Sequence, residues 1–261
     1  MKNAILISLD TLRADHLGCY GYARCTSPHL DAYAAGGVRF TQAYAQSIPT
    51  HPSHTTMFTG RDVMDHQIVR QGGKIDLDPR LPVLAQTLRD AGFYTAAADN
   101  LGRWFSRGFV DYEGYKWESE PDVPWRRGEA VNQTALRLLE RCAEANAKGE
   151  PFFLFVHYWD AHTPYLPPPP FRELFYAGDP RSPVHDSMGP VLASPYFEDY
   201  FGAWLGDVTD IEWPKAQYDA GIAYLDACLA VFLRRLDELG LSDSTLVTIV
   251  GDHGEELDEH R

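Results

Sequence analysis

Residues 3–10, NAILISLD, form a continuous apolar run that ends in an aspartate. A run of this length without polar alternation is typical of a parallel strand that is buried on both faces. In open parallel sheets, ligand sites lie beyond the carboxyl ends of the strands. The stretch therefore predicts a central strand over Asn3–Leu9 that delivers Asp10 to such a site.

Outward from this strand, the chain alternates strand-like and helix-like segments. Apolar runs predict further strands at residues 38–44, 93–98, 151–157 and 245–250. Apolar residues at helical spacing predict helices at residues 27–35, 81–91, 130–147 and 218–239. Residues 172–210 show no periodicity, and we expect a long insertion or lid there. The alternation indicates an α/β layered fold with a mostly parallel central sheet and helices on both faces.

Residues 47–61, SIPTHPSHTTMFTGR, contain a hydroxyl at the predicted start of another helix. Pro52 is tolerated in a first helical turn, and Gly60 supplies a stop. Such a helix end presents unpaired N–H groups and attracts anions, so Thr50 would face a bound oxyanion. A threonine hydroxyl needs a base or a metal ion to become a nucleophile. The alternative is a surface helix on which Thr50 or Ser53 is a structural cap.

Composition limits the classes of protein that fit. The 261 residues are 44% hydrophobic, which suffices for one large domain, and the net charge of -14 argues against a nucleic-acid partner. The four cysteines show no metal spacing and are expected to be free thiols. The first apolar run is too short for a signal peptide or a membrane span, so we expect a cytoplasmic protein without a membrane partner. The chain ends soon after a predicted buried strand, which suggests truncation at the C-terminus; the sequence leaves the oligomeric state open.

Two predicted strand ends carry groups that bind metals. Asp10 follows the first strand, and Asp252 and His253 follow the last one. Together with Thr50, these side chains make a plausible mononuclear site for a divalent cation, which would activate the hydroxyl. Taken singly, an aspartate after a strand is more often a turn or cap residue, and DHGEE also reads as an acidic turn.

Further polar side chains are candidates for substrate contacts. His162, in AHTPY, would bind a non-bridging oxygen or protonate the leaving group, or it is a surface histidine that fixes a proline loop. His54 lies one helical turn beyond Thr50, and Arg103 and Arg107 are possible charge clamps or solvated loop arginines. Weaker candidates are His157, Asp160 and His260.

Several segments together resemble the sulfatase branch of the alkaline phosphatase superfamily. ILISLDTLRADHLGCYGY is similar to the family's opening metal strand, and SPHLDAYAAGGVRFTQAYAQ to its continuation. THPSHTTMFTGR occupies the place of the nucleophile motif C-x-P-S-R. RGFVDYEGY resembles the segment after the substrate lysine, FVHYWDAHTPYLPP the H-x-P-Y segment, and IVGDHGEEL the second metal strand. Their order and spacing cover nearly the whole chain.

The resemblance implies an alkaline-phosphatase-like fold and a role for individual residues. Asp10, Asp252 and His253 would bind one divalent ion, which would be manganese, zinc, magnesium or calcium. Thr50 would be both nucleophile and metal ligand, and His162 would contact the substrate or its leaving group. The remaining candidate substrate contacts are His54, Arg103 and His260.

Four positions depart from the family pattern. Thr50 replaces the cysteine or serine that is converted to formylglycine in sulfatases, so that chemistry is not available here. Thr11 replaces the second aspartate of the opening pair, which removes a metal ligand. His54 stands where the family has arginine, and Arg103 stands where it has the lysine of G-K-W-H.

From the resemblance and its departures, we expect a metal-dependent hydrolase acting on a small anionic ester. Phosphate mono- or diesters and phosphonates are favoured over sulfate esters, because threonine nucleophiles occur in the phosphoryl-transferring branches of the superfamily. A second enzymatic possibility is a dinuclear site completed by Asp160, His162 or His260. A third is an inactive or incomplete member that only binds an anionic ester.

Overall fold

The computed structural model describes residues 2–114, 125–193, 202–257 and 259. Its centre is a five-stranded sheet in the order β3-β2-β4-β1-β5, and every neighbouring pair is parallel. The strands are β1 Asn3–Leu9, β2 Tyr94–Ala98, β3 Asp111–Glu113, β4 Phe152–Tyr158 and β5 Thr245–Gly251. Because β1 lies between β4 and β5, its carboxyl end is flanked by the carboxyl ends of both neighbours.

Helices cover both faces of the sheet. The α-helices are α1 Pro28–Ala35, α2 Thr50–Thr59, α3 Val63–His66, α4 Leu84–Asp90, α5 Gly128–Ala147, α6 Gly189–Leu192 and α7 Glu212–Glu238. Single turns of 3-10 helix lie at Ala14–His16, Gly18–Tyr20, Arg103–Ser106, Phe171–Glu173 and Ser242–Ser244. One face packs on α5 and α7, and the other packs on α2, α4 and the turn at Arg103–Ser106.

The period-2 geometry of a strand explains why β4 is apolar from Phe152 to Val156. Phe152, Leu154 and Val156 point into the core beneath α5 and α7. Phe153 and Phe155 alternate with them and point into the core beneath α2 and α4. Since successive side chains of a strand lie on opposite faces, a strand covered on both faces needs apolar residues at every position.

The same alternation selects the polar side chains that reach the functional end. In β1, the side chains of Ile5, Ile7 and Leu9 enter the core beneath α5 and α7. Ser8 and the following Asp10 therefore face the side of α2. Ser8 lies in register with His157 of β4, which places polar groups of two strands side by side.

The predicted α/β class, parallel sheet and two helical layers are confirmed, and β1 has the predicted bounds. The predicted strand at residues 38–44 is wrong, because this segment is not hydrogen-bonded to the sheet. Its apolar side chains are exposed instead, with Val38 at 84% and Phe40 at 70%. The last helix starts earlier than predicted, at Glu212, because Pro214 falls in the first turn, where its missing N–H is not needed.

The predicted insertion at residues 172–210 falls partly outside the described residues, which omit 194–201. In the described part, Met188, Leu205 and Val208 form a small hydrophobic cluster of their own. Its role as a lid stays a prediction. Among the helices in the described ranges, none is long and apolar enough to cross a membrane.

Replacing Phe155 with alanine tests the core beneath α2. Phe155 is fully buried, and its ring packs edge-on against Phe58 of α2 with centroids 4.9 Å apart. Loss of a buried phenyl ring typically costs about 3–5 kcal/mol of unfolding free energy. We expect a loss of that size in urea unfolding. Phe40→Ala is the matched control at an exposed site and should change stability by less than about 0.5 kcal/mol; equal losses in the two variants would contradict this packing.

Candidate metal and ester-binding site

Asp10, Asp252 and His253 meet at the carboxyl ends of β1 and β5. One ligand atom from each of them lies within 4.8 Å of the others. The parallel pairing of β1 with β5 brings them together, because the two strands end in register at Leu9 and Gly251. Thr50, the first residue of α2, places its Oγ1 3.3 Å from Asp10 Oδ2 and 3.5 Å from His253 Nε2. The structure therefore assembles the four side chains that the sequence nominated.

The donor set fits a divalent cation. Asp10 Oδ1 and Asp252 Oδ2 are buried and have no hydrogen-bond partner among the described residues. Burial and the neighbouring Asp10 carboxylate raise the pKa of Asp252. Although burial also acts against ionised Asp10, the hydrogen bond from His157 and the nearby imidazoles lower its pKa. Two buried carboxylates with unsatisfied oxygens and an imidazole are groups that a divalent cation would satisfy.

Thr11 does not face the cluster with its side chain, which is instead hydrogen-bonded to the Ala161 carbonyl at 2.9 Å. Its backbone N–H, however, donates to Asp252 Oδ1 at 3.0 Å, and the N–H of His253 donates to the same oxygen at 2.8 Å. These two donors occupy Oδ1, whereas Oδ2 has no hydrogen-bond partner among the described residues and lies 3.5 Å from His253 Nε2. The residue that replaces the family's second aspartate thus orients the Asp252 carboxylate through its main chain.

The structure does not place His54 where it would contact a substrate. Its ring is fully buried beneath α2, with Nδ1 donating to the Thr50 carbonyl at 3.0 Å and Nε2 accepting from the Ser8 hydroxyl at 2.9 Å. Burial lowers the pKa of His54 to about 3, so the ring is neutral. Together with Ser53, whose hydroxyl donates to the Asp252 carbonyl at 2.6 Å, His54 fixes α2 on the strand ends.

His157 and Asp99 join the site from the neighbouring strands. His157 is fully buried, with Nε2 3.3 Å from Asp10 Oδ2 and Nδ1 2.9 Å from Asp99 Oδ1. Burial acts against its charge, but the hydrogen bonds to the two carboxylates raise the pKa of His157 to about 9. An imidazolium thus lies between two carboxylates. Sequence reasoning ranked His157 low and missed Asp99, although Asp99 directly follows β2 as Asp10 follows β1.

His162 lies half-buried beyond the end of β4. Its Nδ1 donates to the Thr163 carbonyl at 2.5 Å, and its ring packs against Trp159 at an interplanar angle of 47°, with centroids 5.3 Å apart. The positive charge of a protonated His162 would lower the pKa of Asp10, which reflects their proximity. His162 is therefore near the cluster, while its Nδ1 is hydrogen-bonded to the neighbouring Thr163 carbonyl.

The two candidate arginine clamps bind a neighbouring loop. Arg103 donates to Asp76 Oδ1 at 2.7 Å and to the Ile75 carbonyl at 2.7 Å. Arg107 donates to the Leu81 carbonyl at 3.1 Å. These hydrogen bonds direct both guanidinium groups to the loop around residues 75–81.

The start of α2 is only partly open to an anion. The N–H of His51 donates to Gln71 Oε1 at 3.0 Å, and the ring of His51 accepts from the Gly72 N–H at 3.1 Å. The Gln71 side chain thus occupies the His51 N–H, which is no longer available to an anion. The predicted anion contact therefore depends on the Thr50 hydroxyl and the cluster beside it.

Within the described residues, Asp160 and His162 belong to no further cluster suited to a metal. Asp160 is buried elsewhere, and its Oδ1 accepts from the Gly128 N–H at the start of α5 at 3.2 Å. Among the residues that the structure describes, the cluster suited to a metal comprises Asp10, Asp252 and His253. His260 lies outside the described residues.

The cluster lies at the carboxyl ends of a parallel α/β sheet, where ligand sites occur in folds of this class. Comparison with known proteins gives the family. The family model described as Sulfatase matches residues 2–261, so the chain belongs to the sulfatase family. Iduronate 2-sulfatase of Homo sapiens is 27% identical over 321 residues that cover 99% of this chain and 56% of that protein. Arylsulfatase A of Homo sapiens is 25% identical, and the match covers 97% of this chain and 52% of that protein.

Solved structures share the fold. The phosphonate monoester hydrolase of Agrobacterium radiobacter superimposes with a TM-score of 0.74 at 21% identity, covering all of this chain and 64% of that one. The putative sulfatase yidJ from Bacteroides fragilis gives a TM-score of 0.73 at 20% identity, over 97% of this chain and 62% of that one. The chain spans about half the length of the curated sulfatases it matches.

Asp160→Asn should change how stability depends on pH. Burial raises the pKa of Asp160 to about 7, whereas an unfolded aspartate titrates near about 3.9. The neutral form therefore favours folding, and its contribution is complete below the unfolded pKa and lost as pH rises through the folded pKa. We expect the wild-type unfolding free energy to fall relative to Asp160→Asn over this window, by at most about 1.4 kcal/mol per pH unit.

Urea unfolding of both proteins between about pH 4 and pH 8 measures this difference. Asp90→Asn, which changes an exposed aspartate of α4, is the control and should track wild type across the range. Parallel wild-type and Asp160→Asn curves would show that the buried carboxyl does not titrate in this window.

Proposed function

We propose that the protein is a metal-dependent hydrolase that cleaves an ester of an oxyanion, with Thr50 as its nucleophile. The observation that carries the proposal is the position of the Thr50 hydroxyl, 3.3 Å from Asp10 Oδ2 and 3.5 Å from His253 Nε2. Membership of the sulfatase family supports ester hydrolysis as the reaction class.

Asp10, Asp252 and His253 would hold the cation, with Thr50 beside them. A divalent cation bound there would lower the pKa of the Thr50 hydroxyl and neutralise charge on the substrate. The chain's own contribution is orientation. Ser53 and His54 fix α2 on the strand ends, and the ion pair of His157 with Asp99 holds the Asp10 carboxylate in place.

The reaction would proceed in two displacements. The Thr50 oxygen bonds to the phosphorus or sulfur of the ester, while the bond to the leaving alcohol oxygen breaks and protonated His162 supplies the proton that this oxygen needs. Water then attacks the phosphorus or sulfur of the Thr50 ester and gives a proton to the now neutral His162, while the bond to the Thr50 oxygen breaks. The oxyanion is released, and the Thr50 oxygen regains the proton that it lost in the first step. Asp10 Oδ2, which already accepts the hydrogen bond from Thr50 Oγ1, would take the proton that Thr50 loses, while Asp10 Oδ1 stays available to the cation.

A phosphate or phosphonate ester is the favoured substrate within this proposal. Formylglycine, which sulfatases form from cysteine or serine, is not available from threonine, so sulfate ester cleavage by that route is closed. A threonine alkoxide can still form a covalent phosphoryl ester. The two human relatives described above are named as sulfatases, and a sulfate ester is therefore the competing substrate class.

Thr50→Ala should abolish turnover. We expect kcat to fall by at least about a thousandfold, because the covalent step loses its nucleophile. The assay compares aryl phosphate, aryl phosphonate, bis-aryl phosphate and aryl sulfate, each with manganese, zinc, magnesium and calcium. Thr59→Ala, at the far end of α2, is the matched control and should keep wild-type rates. Full activity of Thr50→Ala would refute the threonine nucleophile, and metal binding without turnover of any substrate would favour the ester-binding alternative.

Metal content distinguishes a mononuclear from a dinuclear centre. We expect one tightly bound divalent ion per chain, because one cluster of suitable ligands occurs in the described part of the chain. Titration calorimetry with Mn²⁺ after treatment with a chelator gives the stoichiometry, and Asp252→Asn should weaken that binding because a charged ligand is lost. Two equivalents per chain would instead support the dinuclear alternative.

A further inference from the structure

Tyr218 connects α7 to the loop that follows β1. The side chain is fully buried, and its hydroxyl donates to the Thr11 carbonyl at 2.8 Å. The same hydroxyl accepts from the Arg13 N–H at 2.9 Å. One hydroxyl thus pairs with a main-chain acceptor and a main-chain donor on either side of Leu12. Through this group, α7 fixes the loop that follows β1.

Thr11, whose carbonyl accepts from this hydroxyl, has an unusual backbone conformation. Thr11 has φ 58°, in the left-handed region, which is disfavoured for a β-branched side chain. Such a conformation typically costs about 1–3 kcal/mol and persists only when its surroundings impose it. The contacts that impose it are the Tyr218 hydroxyl at the Thr11 carbonyl and the Ala161 carbonyl at the Thr11 hydroxyl.

This conformation has a consequence for the metal cluster. It directs the Thr11 N–H onto Asp252 Oδ1 at 3.0 Å, which leaves Asp252 Oδ2 free to face Asp10 and His253. The loop also lies very close to the strand that carries Asp252. A Cβ placed on Gly251 would lie 2.3 Å from the Leu12 carbonyl oxygen, so only glycine fits there.

We propose that Tyr218 is a positioning residue for the metal site: its hydroxyl holds Thr11 in the left-handed conformation whose N–H orients Asp252. The proposal rests on the proposed function in one respect, since it takes Asp252 as a metal ligand. Tyr218 lies on α7 and acts only through Thr11, so it would set the affinity for the cation rather than bind it. Partners that orient metal ligands typically change metal affinity by about 10–100-fold when they are removed.

The chain offers a matched comparison in Tyr224, six residues further along α7. Tyr224 is also buried, but its hydroxyl is hydrogen-bonded to Glu129 at the start of α5. Tyr218→Phe and Tyr224→Phe therefore remove the same buried hydroxyl from the same helix. Only Tyr218→Phe disconnects the loop beside the metal cluster.

Two measurements on the full chain test the proposal. The first is amide hydrogen exchange without metal, in which Tyr218→Phe should speed exchange at Thr11 and Arg13 and leave the β1 and β5 amides unchanged. The second is calorimetric titration with Mn²⁺, in which Tyr218→Phe should raise Kd by about 10–100-fold. Tyr224→Phe should match wild type in both. Unchanged exchange and Kd in Tyr218→Phe, or equal changes in Tyr224→Phe, would overturn the proposal.

A double-mutant cycle separates positioning from a general loss of stability. Glycine adopts positive φ without strain, so Thr11→Gly needs no clamp to hold that backbone. We expect Tyr218→Phe to raise the Mn²⁺ Kd much less in the Thr11→Gly background than in wild type. Equal effects in the two backgrounds would contradict the link through Thr11. If wild type itself binds no metal, the proposed metal site fails, while the exchange measurement still decides whether Tyr218 holds the loop.

Discussion

The structure depends on two carboxylates, Asp10 and Asp252, that are buried side by side at the carboxyl ends of adjacent parallel strands. Burial of an ionised carboxylate costs several kcal/mol unless other groups compensate its charge. The pairing of β1 with β5 forces the two into proximity, because parallel strands in register end at the same edge. The surrounding elements supply donors, an imidazolium and a site for a cation, and these roles explain why so many polar side chains are buried at this end of the sheet.

Three histidines illustrate how position sets protonation at this site. His157 lies between Asp10 and Asp99, whose carboxylates raise its pKa to about 9, so it brings positive charge into the core. His54 is equally buried, and its ring nitrogens are hydrogen-bonded to the Ser8 hydroxyl and the Thr50 carbonyl; here burial dominates and lowers the pKa to about 3. The two rings lie 4.6 Å apart. His253 belongs to the carboxylate cluster itself, and although burial acts against its charge, Asp252 and Asp10 raise its pKa.

The departures from the family pattern make structural sense together. Thr11 cannot contribute the carboxylate of the family's second aspartate, yet its main chain orients Asp252. His54, where the family has arginine, is neutral and fastens α2 to β1 through Ser8. Fewer charges therefore surround Thr50. Relative to the family pattern, the site lacks one negative charge at Thr11 and one positive charge at His54, so its net charge is unchanged. This balance is consistent with the proposed mononuclear centre.

The sequence by itself determined the layered fold and nominated the cluster of Asp10, Asp252 and His253. Apolar runs fixed β1, β4 and β5, and the rule that ligands lie beyond parallel strand ends nominated Asp10 and Asp252, because strand periodicity and strand termination are local properties of a chain. The same rule applied to β2 would also have found Asp99. Only the tertiary structure decided which side of α2 meets the sheet, and it buries His54 there. It decided that Arg103 and Arg107 bind the loop around residues 75–81. It also decided that residues 38–44 are not a strand and that Tyr218 reaches Thr11, since both depend on which distant segments become neighbours, a property that local sequence does not encode.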